Sequence, residues 1–139
     1  MTNKVFLDTA YAIALSVESD EHHERAEELA DQLEAEATQL VTTRAVLLEI
    51  GNALSKKRYR KAALELLDAL EQDPLVEIVP LSEELYKQAL ELFRSRPDKE
   101  WGLVDCASFV VMQERGLTEA LTTDEHFKQA GFRPLLRDE

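Results

Sequence analysis

The sequence predicts an α/β fold: a three-layer α/β/α sandwich with helices on both faces of a central parallel sheet. Short apolar runs alternate along the chain with longer segments whose apolar residues recur at helical spacing, which is the pattern of successive βα units. No repeat or low-complexity segment interrupts this alternation. The chain has 139 residues, of which 45% are hydrophobic, enough to bury one core. We therefore expect a single domain over residues 1–139.

In the first half of the chain, two short apolar runs are each followed by a helical pattern. The elements predicted there are a strand over 5–7, helices over 9–17 and 21–37, a strand over 39–42, a helix from Thr43 and, after a break near Arg58 or Tyr59, a helix through Leu70. Ala, Glu and Leu, which favour helices, dominate the second helix. Thr43 is the expected N-cap, because its hydroxyl can accept a free backbone N–H of the first turn.

The second half repeats the alternation. The elements predicted there are a strand over 76–79, a helix over 82–93, a helix over 104–112, a strand over 120–123, a short helix over 124–129 and a last strand over 133–136. Turn residues separate them: Asp73-Pro74 precedes the first of these strands, Pro80 ends it, and Gly116 ends the apolar helix.

Composition limits the classes of function. The formal net charge of -12 disfavours nucleic acid at long range, because such affinity comes largely from Lys and Arg. The local exception is the run from Lys56 to Lys61, in which five of six residues are basic. Cys106 is the only cysteine, which excludes an internal disulfide and a cysteine-based zinc site. Nothing resembles a signal peptide or a membrane span, so we expect a cytoplasmic protein with no membrane partner.

Four acids lie where a parallel sheet would gather them. Asp8 ends the first apolar run, Asp124 follows the run 120–123, Glu49 lies within a helix and Asp105 opens another. In parallel α/β sheets, groups just after strands and in the first turns of the following helices converge on one crevice. Two like charges about 4 Å apart repel by roughly 4 kcal/mol at an effective dielectric near 20. We therefore expect a divalent cation, Mg²⁺ or Mn²⁺, to neutralise them.

Structural explanations compete with this one. Asp8 and Asp124 could instead be helix N-caps that interact with the helix dipole. That explanation is weaker for Glu49 and Asp105, because apolar residues flank both in the sequence and a buried carboxylate without a partner is costly.

Polar residues near the acids are candidates for supporting roles. Thr9 and Thr123 each adjoin an acid, and Ser108 lies one helical turn after Asp105, so their hydroxyls could orient carboxylates; helix capping explains them equally well.

A basic stripe is the candidate RNA-binding surface. Asn52 lies one turn after Glu49, and Lys56 and Arg60 lie further along the same face if the helix continues. The stripe would lead phosphates to the acids, with Tyr59 as a stacking ring. The alternative is an ordinary solvated run of charges.

Other reactive residues receive no site role. His22 and His23 are adjacent in a predicted helix and so point in different directions, and we interpret both, together with His126, as surface residues. Cys106 is interpreted as a small buried residue and Trp101 as a packing residue.

Several segments, spread over almost the whole chain, carry a family resemblance. They are Val5-Phe6-Leu7-Asp8-Thr9, Glu49-Ile50-Gly51-Asn52-Ala53-Leu54, Leu103-Val104-Asp105-Cys106-Ala107-Ser108-Phe109, Leu121-Thr122-Thr123-Asp124-Glu125-His126-Phe127 and Ala130-Gly131-Phe132. In this order and spacing the chain resembles the PIN-domain family, in particular the VapC-like ribonuclease toxins of prokaryotic toxin-antitoxin pairs.

The resemblance implies a metal-dependent hydrolase that cleaves RNA. It makes Asp8, Glu49, Asp105 and Asp124 the acidic catalytic and metal-binding set, with Mg²⁺ or Mn²⁺ as the cofactor. It also implies homodimers, a cognate antitoxin that covers the site with a basic side chain, and products with 5′-phosphate and 3′-hydroxyl ends.

Rival classes fit less well. A phosphoryl-accepting receiver domain requires a paired acid near the first strand, an acceptor Asp after the third and a Lys after the fifth, and none of these falls into place. A haloacid-dehalogenase-like phosphatase requires a second Asp two residues after the first, where this chain has Ala10. A catalytically inactive PIN-like binding or scaffold protein remains the alternative function, since it would bind metal without cleaving RNA.

Overall fold

A computed structural model describes residues 1–137 of the chain; positions 138 and 139 of the predicted domain lie outside the described residues. The strands are β1 (Lys4–Leu7), β2 (Gln39–Thr43), β3 (Val76–Val79), β4 (Glu119–Leu121) and β5 (Arg133–Pro134). The helices are α1 (Thr9–Ser16), α2 (His23–Ala35), α3 (Arg44–Ala53), α4 (Lys57–Gln72), α5 (Glu83–Ser95), α6 (Leu103–Arg115) and α7 (Glu125–Gln129), followed by a 3₁₀ turn over Leu135–Arg137.

The five strands form one sheet in the order β3-β2-β1-β4-β5, and every neighbouring pair is parallel. The predicted α/β/α fold with a central parallel sheet is therefore confirmed. β1 lies in the middle, with Lys4 opposite Gln39 of β2 and Phe6 opposite Ala120 of β4. The chain builds outward from β1 to β3 and then crosses back to β4, so the connections leave in opposite directions at β1. Ligands of open α/β sheets bind at such a reversal, outside the carboxyl ends of the strands.

The core holds β1 rigidly against the helices that carry the rest of the site. Val5, Phe6 and Leu7 are at most 1% exposed, as expected for a central strand buried on both faces. Aromatic rings connect this strand to α6 and α7, since Phe127 lies 6.2 Å from Phe6 and 4.9 Å from Phe109. Trp101 continues the cluster with an edge-on contact to Phe109, as its interpretation as a packing residue predicted.

Helix ends follow the capping residues read from the sequence. The Thr43 hydroxyl accepts the Val46 N–H at 3.1 Å, and the Ser82 hydroxyl accepts the Leu85 N–H at 3.0 Å. Gly116 ends α6 in the left-handed conformation, with φ of 66°. Among residues 1–137, no helix combines the length and the hydropathy needed to cross a membrane.

The predicted break near Arg58 or Tyr59 is wrong: α3 ends at Ala53, and α4 begins at Lys57. Lys56, the first residue of the basic run, is extended, with φ of -63° and ψ of 147°, so the helix axis changes at the start of this run. The burial of Leu54, which is 2% exposed, anchors the corner. Glu49 and Arg60 therefore lie on two separate helices, and the single helical face that would have joined them if the helix continued is not formed.

Two strand ends also differ from prediction. β4 stops at Leu121 rather than Thr123, because the Thr122 hydroxyl accepts the Asp124 N–H and turns the chain out of the sheet. β5 covers only Arg133–Pro134, and the residues after it form the 3₁₀ turn.

Two glycine substitutions should change stability in opposite directions. Gly51→Ala should raise the free energy of unfolding by about 0.5–1 kcal/mol, because the position is helical and an added Cβ meets no atom within 4 Å. Gly116→Ala should lower it by about 1 kcal/mol, because the left-handed backbone strains any residue with a Cβ. Urea denaturation of both variants and the unmodified protein measures the difference. Equal effects of the two would contradict the assigned helix end.

Candidate metal centre

The four predicted acids lie at the carboxyl edge of the sheet or on helices that border it. Asp8 follows β1 directly, and Asp124 lies between β4 and α7. Glu49 projects from α3, and Asp105 lies in the first turn of α6. Mutual repulsion acts between Asp8 and both Glu49 and Asp105, and between Asp105 and Asp124, so the four form one electrostatic cluster.

Asp8 is the most deeply buried of the four, at 5% exposed. Its Oδ2 accepts a hydrogen bond from the Thr122 hydroxyl at 2.8 Å. The pKa of Asp8 is raised from its usual 3.8 to about 7. Burial is the largest cause and the charges of Asp105 and Glu49 add to it, while hydrogen bonds from Thr122 and the Thr9 backbone oppose the rise. Although Asp8 occupies the N-cap position of α1, its side chain accepts no capping hydrogen bond within the described chain.

Asp124 and Asp105 combine capping with a place in the cluster. Asp124 Oδ1 accepts the His126 N–H at 2.8 Å as the N-cap of α7. Asp105 Oδ2 accepts the Gly102 N–H at 3.1 Å at the start of α6. Burial raises the pKa of Asp105, and the charge of Asp124 adds to the rise, against the lowering effects of hydrogen bonds from His126 and Gly102. Capping therefore fixes these carboxylates without removing them from the site.

Glu49 is half-buried, and its Oε1 accepts a hydrogen bond from the buried hydroxyl of Thr9 at 2.5 Å. This contact joins the start of α1 to α3 across 40 residues of sequence. The Thr9 hydroxyl thus orients the carboxylate of Glu49, rather than that of its neighbour Asp8.

The other predicted supporting residues lie differently. The Ser108 hydroxyl donates to the Val104 carbonyl of its own helix at 3.0 Å. Thr123 lines a cavity of about 750 Å³, whose charged lining residues are the acids Asp20 and Glu21 and the basic residues Arg25 and Arg137. Asn52 is exposed on α3.

The candidate RNA-binding residues Lys56 and Arg60 are both exposed. Lys56 precedes α4, and the Arg60 guanidinium donates to the Ser55 carbonyl at 2.9 Å, which folds it back over the corner between α3 and α4.

Two site residues escaped sequence reasoning. Thr122, and not Thr123, carries the hydroxyl that joins Asp8 to the Asp124 backbone. His126, interpreted as a surface residue, places Nδ1 3.0 Å from Asp105 Oδ2 and 3.4 Å from Asp124 Oδ1. Burial lowers the pKa of His126, but the hydrogen bond to Asp105 and the charges of Asp124, Asp105 and Glu100 outweigh it, so the pKa is raised. Its spacing, two residues after an N-cap aspartate, was the available signal.

Cys106 and the remaining histidines match the sequence interpretation more closely. Cys106 is a free, buried thiol whose pKa is raised to about 11 by burial and by the charge of Asp105. Such a thiol stays protonated and is a poor nucleophile. His23 contacts the Ala14 carbonyl near the end of α1, away from the acids at its start.

Fold and site define a class of small α/β protein in which a parallel sheet gathers acids at its carboxyl edge. One ligand atom from each of Asp105, Asp124 and His126 lies within 4.8 Å of the others, and the remaining acids border them. The chain belongs to the PIN domain family, whose model matches residues 5–133. The family resemblance read from the sequence is confirmed.

Curated relatives cover nearly the whole chain. They are the proteins named 23S rRNA-specific endonuclease VapC20 from two strains of Mycobacterium tuberculosis, CDC 1551 / Oshkosh and H37Rv. Each is 28% identical over 128 residues, which span 92% of this chain and 95% of the relative. The crystal structure of M. tuberculosis VapC20, described as a sarcin-ricin loop cleaving toxin, superposes with a TM-score of 0.80 at 28% identity, over 92% of this chain and 95% of that one.

Asp8→Asn should relieve a pH-dependent cost of burying a charge. Between pH 4 and 7 the unfolded Asp8 loses its proton while the folded one keeps it, so the stability supplied by the neutral form is present below pH 4 and lost as the pH rises to about 7. We therefore compare the free energies of unfolding of the variant and the unmodified protein, measured by urea denaturation in chelator. The difference between them should shift in favour of the variant by about 1–3 kcal/mol as the pH rises from 4 to 8.

The matched control is Asp68→Asn, an exposed aspartate on α4. This control variant should show the same dependence of the free energy of unfolding on pH as the unmodified protein. An Asp8→Asn protein that is less stable than the unmodified one at pH 8 would contradict the assignment.

Proposed function

We propose that this protein is a metal-dependent endoribonuclease that hydrolyses RNA phosphodiester bonds, and that it is the toxin of a toxin-antitoxin pair. The observation that carries the proposal is the clustering of Asp8, Glu49, Asp105 and Asp124 at the carboxyl edge of a PIN-domain sheet. The similarity to VapC20 over 92% of the chain supports an RNA substrate and makes the sarcin-ricin loop of 23S rRNA the first one to test.

The donor set fits Mg²⁺ or Mn²⁺. Carboxylate oxygens are the preferred protein ligands of these hard cations. Burial is the main cause of the raised pKa values of Asp8 and Asp105, and repulsion from neighbouring acids adds to it, so a bound cation would relieve that repulsion. Asp8, Asp105 and Asp124 would hold the ion, with Glu49 as a further ligand or as the base that orients water. A bound divalent ion supplies Lewis-acid stabilisation of the scissile phosphate and a lowered pKa for its water.

The chain's own hydrogen bonds prepare these carboxylates for their roles. The Thr122 hydroxyl donates to Asp8 Oδ2 and so orients the carboxylate that would hold the ion. Thr9 holds Glu49 Oε1, which leaves Oε2 to accept the proton of an attacking water. Ser108 supports the site indirectly by fixing its helix, while Thr123 and Asn52 offer polar contacts to the RNA beside the acids. The nearby cavity of about 750 Å³ has room for a nucleotide.

RNA and a protein inhibitor are the proposed partners. We assign RNA phosphate contacts to Lys56 and Arg60, whose exposed charges are local exceptions on an acidic protein. A cognate antitoxin would insert a basic side chain into the acid cluster, for which the net charge of -12 is electrostatically suited. The homodimer and a cytoplasmic location belong to the same proposal.

Cleavage of a mixed RNA pool and of a sarcin-ricin hairpin tests the activity. Cleavage should require Mg²⁺ or Mn²⁺, stop in chelator and leave 5′-phosphate ends. Asp105→Asn should lower the rate by about 10²–10⁴-fold, because it removes a charged ligand, while Asp68→Asn should leave it unchanged. Cyclic 2′,3′-phosphate products would contradict metal-dependent hydrolysis. Metal binding without any cleavage would instead favour the inactive binding or scaffold protein.

Lys56 and Arg60 should contribute to the affinity for RNA rather than to the rate of cleavage. The double variant Lys56→Ala, Arg60→Ala should bind fluorescent RNA several-fold more weakly in chelator, with unchanged single-turnover rates at saturating RNA. The logarithm of the association constant falls as the logarithm of the salt concentration rises, and the steepness of this fall should decrease by about 1.4 in the variant. This corresponds to about 0.7 for each lost phosphate contact.

The control with the same change in charge is Lys87→Ala, Arg94→Ala on α5, a helix that supplies none of the four acids. If both double variants weaken binding equally, long-range charge rather than local contact sets the affinity.

A further inference from the structure

We propose that His126 is a direct nitrogen ligand of the metal ion, and that it biases the site toward Mn²⁺ over Mg²⁺. This inference rests on the proposed metal centre and adds a residue outside the four acids. One ring nitrogen of His126 lies between two of the carboxylates.

The distances between donor atoms fit a shared ion. Donors bound to one octahedral ion at about 2.1 Å lie about 3.0 Å apart when they are adjacent. Nδ1 of His126 lies 3.0 Å from Asp105 Oδ2 and 3.4 Å from Asp124 Oδ1. All three donor atoms lie within 4.8 Å of one another, so small side-chain movements would bring them onto one ion.

The backbone holds His126 in this place. Its N–H donates to Asp124 Oδ1 at 2.8 Å, so ligand and neighbour are tied within the first turn of α7. Phe127, the next residue, is fully buried against Phe6 and Phe109, which fixes the short helix on the core. The imidazole therefore faces the acids without any rearrangement of the main chain.

His126 also borders a small polar cavity of about 240 Å³, which is lined by Asp98, Lys99, Glu100 and Gln129 as well. Metal-binding histidines usually donate their other ring N–H to a carboxylate, carbonyl or water, which fixes the tautomer. When a metal ion replaces the hydrogen bond between His126 and Asp105, the ring proton would move to Nε2 and the Nδ1 lone pair would face the ion.

A nitrogen ligand alters the choice of ion. Carboxylates and water suit Mg²⁺, whereas imidazole suits transition metals. Among the divalent first-row transition metals, Mn²⁺ binds such ligands most weakly. One histidine among carboxylates should therefore favour Mn²⁺ over Mg²⁺ without excluding either. The rival role is positioning, in which His126 only orients the Asp105 carboxylate through its hydrogen bond.

His126→Asn separates these roles. The asparagine amide can donate to Asp105 from a position near that of Nδ1, but an amide nitrogen is not a metal ligand. Calorimetry should show that Mn²⁺ binding weakens by about 10-fold in the variant while Mg²⁺ binding changes by less than about 3-fold. Pulsed electron paramagnetic resonance of the Mn²⁺-loaded unmodified protein should show coupling to a directly bound ¹⁴N nucleus, and the variant should lack it. His23→Asn, outside the cluster, should behave as the unmodified protein.

The outcomes distinguish this inference from the proposed function. Tight Mn²⁺ binding without ¹⁴N coupling, or equal losses for both ions in His126→Asn, would overturn ligation by His126 and leave the acidic metal centre standing. Absence of Mn²⁺ and Mg²⁺ binding to the unmodified protein would overturn both. Coupling that persists in His126→Asn would assign the nitrogen to another residue and also overturn the inference.

Discussion

The burial of the Asp8 carboxylate is the constraint on which the rest of the site depends. A carboxylate at 5% exposure, with two further acids acting on it, costs the fold free energy unless it binds a proton or a cation. The surrounding core offsets that cost, because β1 is closely packed on both faces and its aromatic neighbours connect it to α6 and α7. The packing of the core thus stabilises a protein whose acid cluster is electrostatically unfavourable, and relief of the repulsion between the acids would favour the binding of a divalent ion.

Strand register connects Asp8 to the other residues of the candidate site. Leu7 pairs with Leu121, so the residues that follow them, Asp8 and Thr122, leave the sheet side by side and form their 2.8 Å hydrogen bond. The same hydroxyl accepts the Asp124 N–H, and Asp124 in turn holds the backbone of His126. A slip of one residue between β1 and β4 would move every member of this chain of contacts.

The sequence predicted those features that depend on local pattern. Alternating βα segments gave the parallel sheet, and Thr43, Ser82 and Gly116 marked helix ends by their own chemistry. The acids after strands could be placed at one edge because parallel strands share it. Features that depend on contacts between distant segments could not be read in this way. Thr122 and Thr123 are indistinguishable in sequence until the register with β1 is known, and His126 acquires its role only where α7 meets α6.

The hydrogen bond between Thr122 and Asp8 joins residues 114 positions apart, and β1 has no neighbour on one side until β4 arrives. During synthesis, the first three strands can pair while Asp105, Asp124 and the supporting threonine have yet to be made. The candidate metal centre can therefore assemble only after the segment that carries Asp105, Thr122 and Asp124 has emerged from the ribosome. A translating ribosome is thus exposed to an incomplete site, and the chain acquires its proposed capacity to cut RNA only after residue 124 has been added.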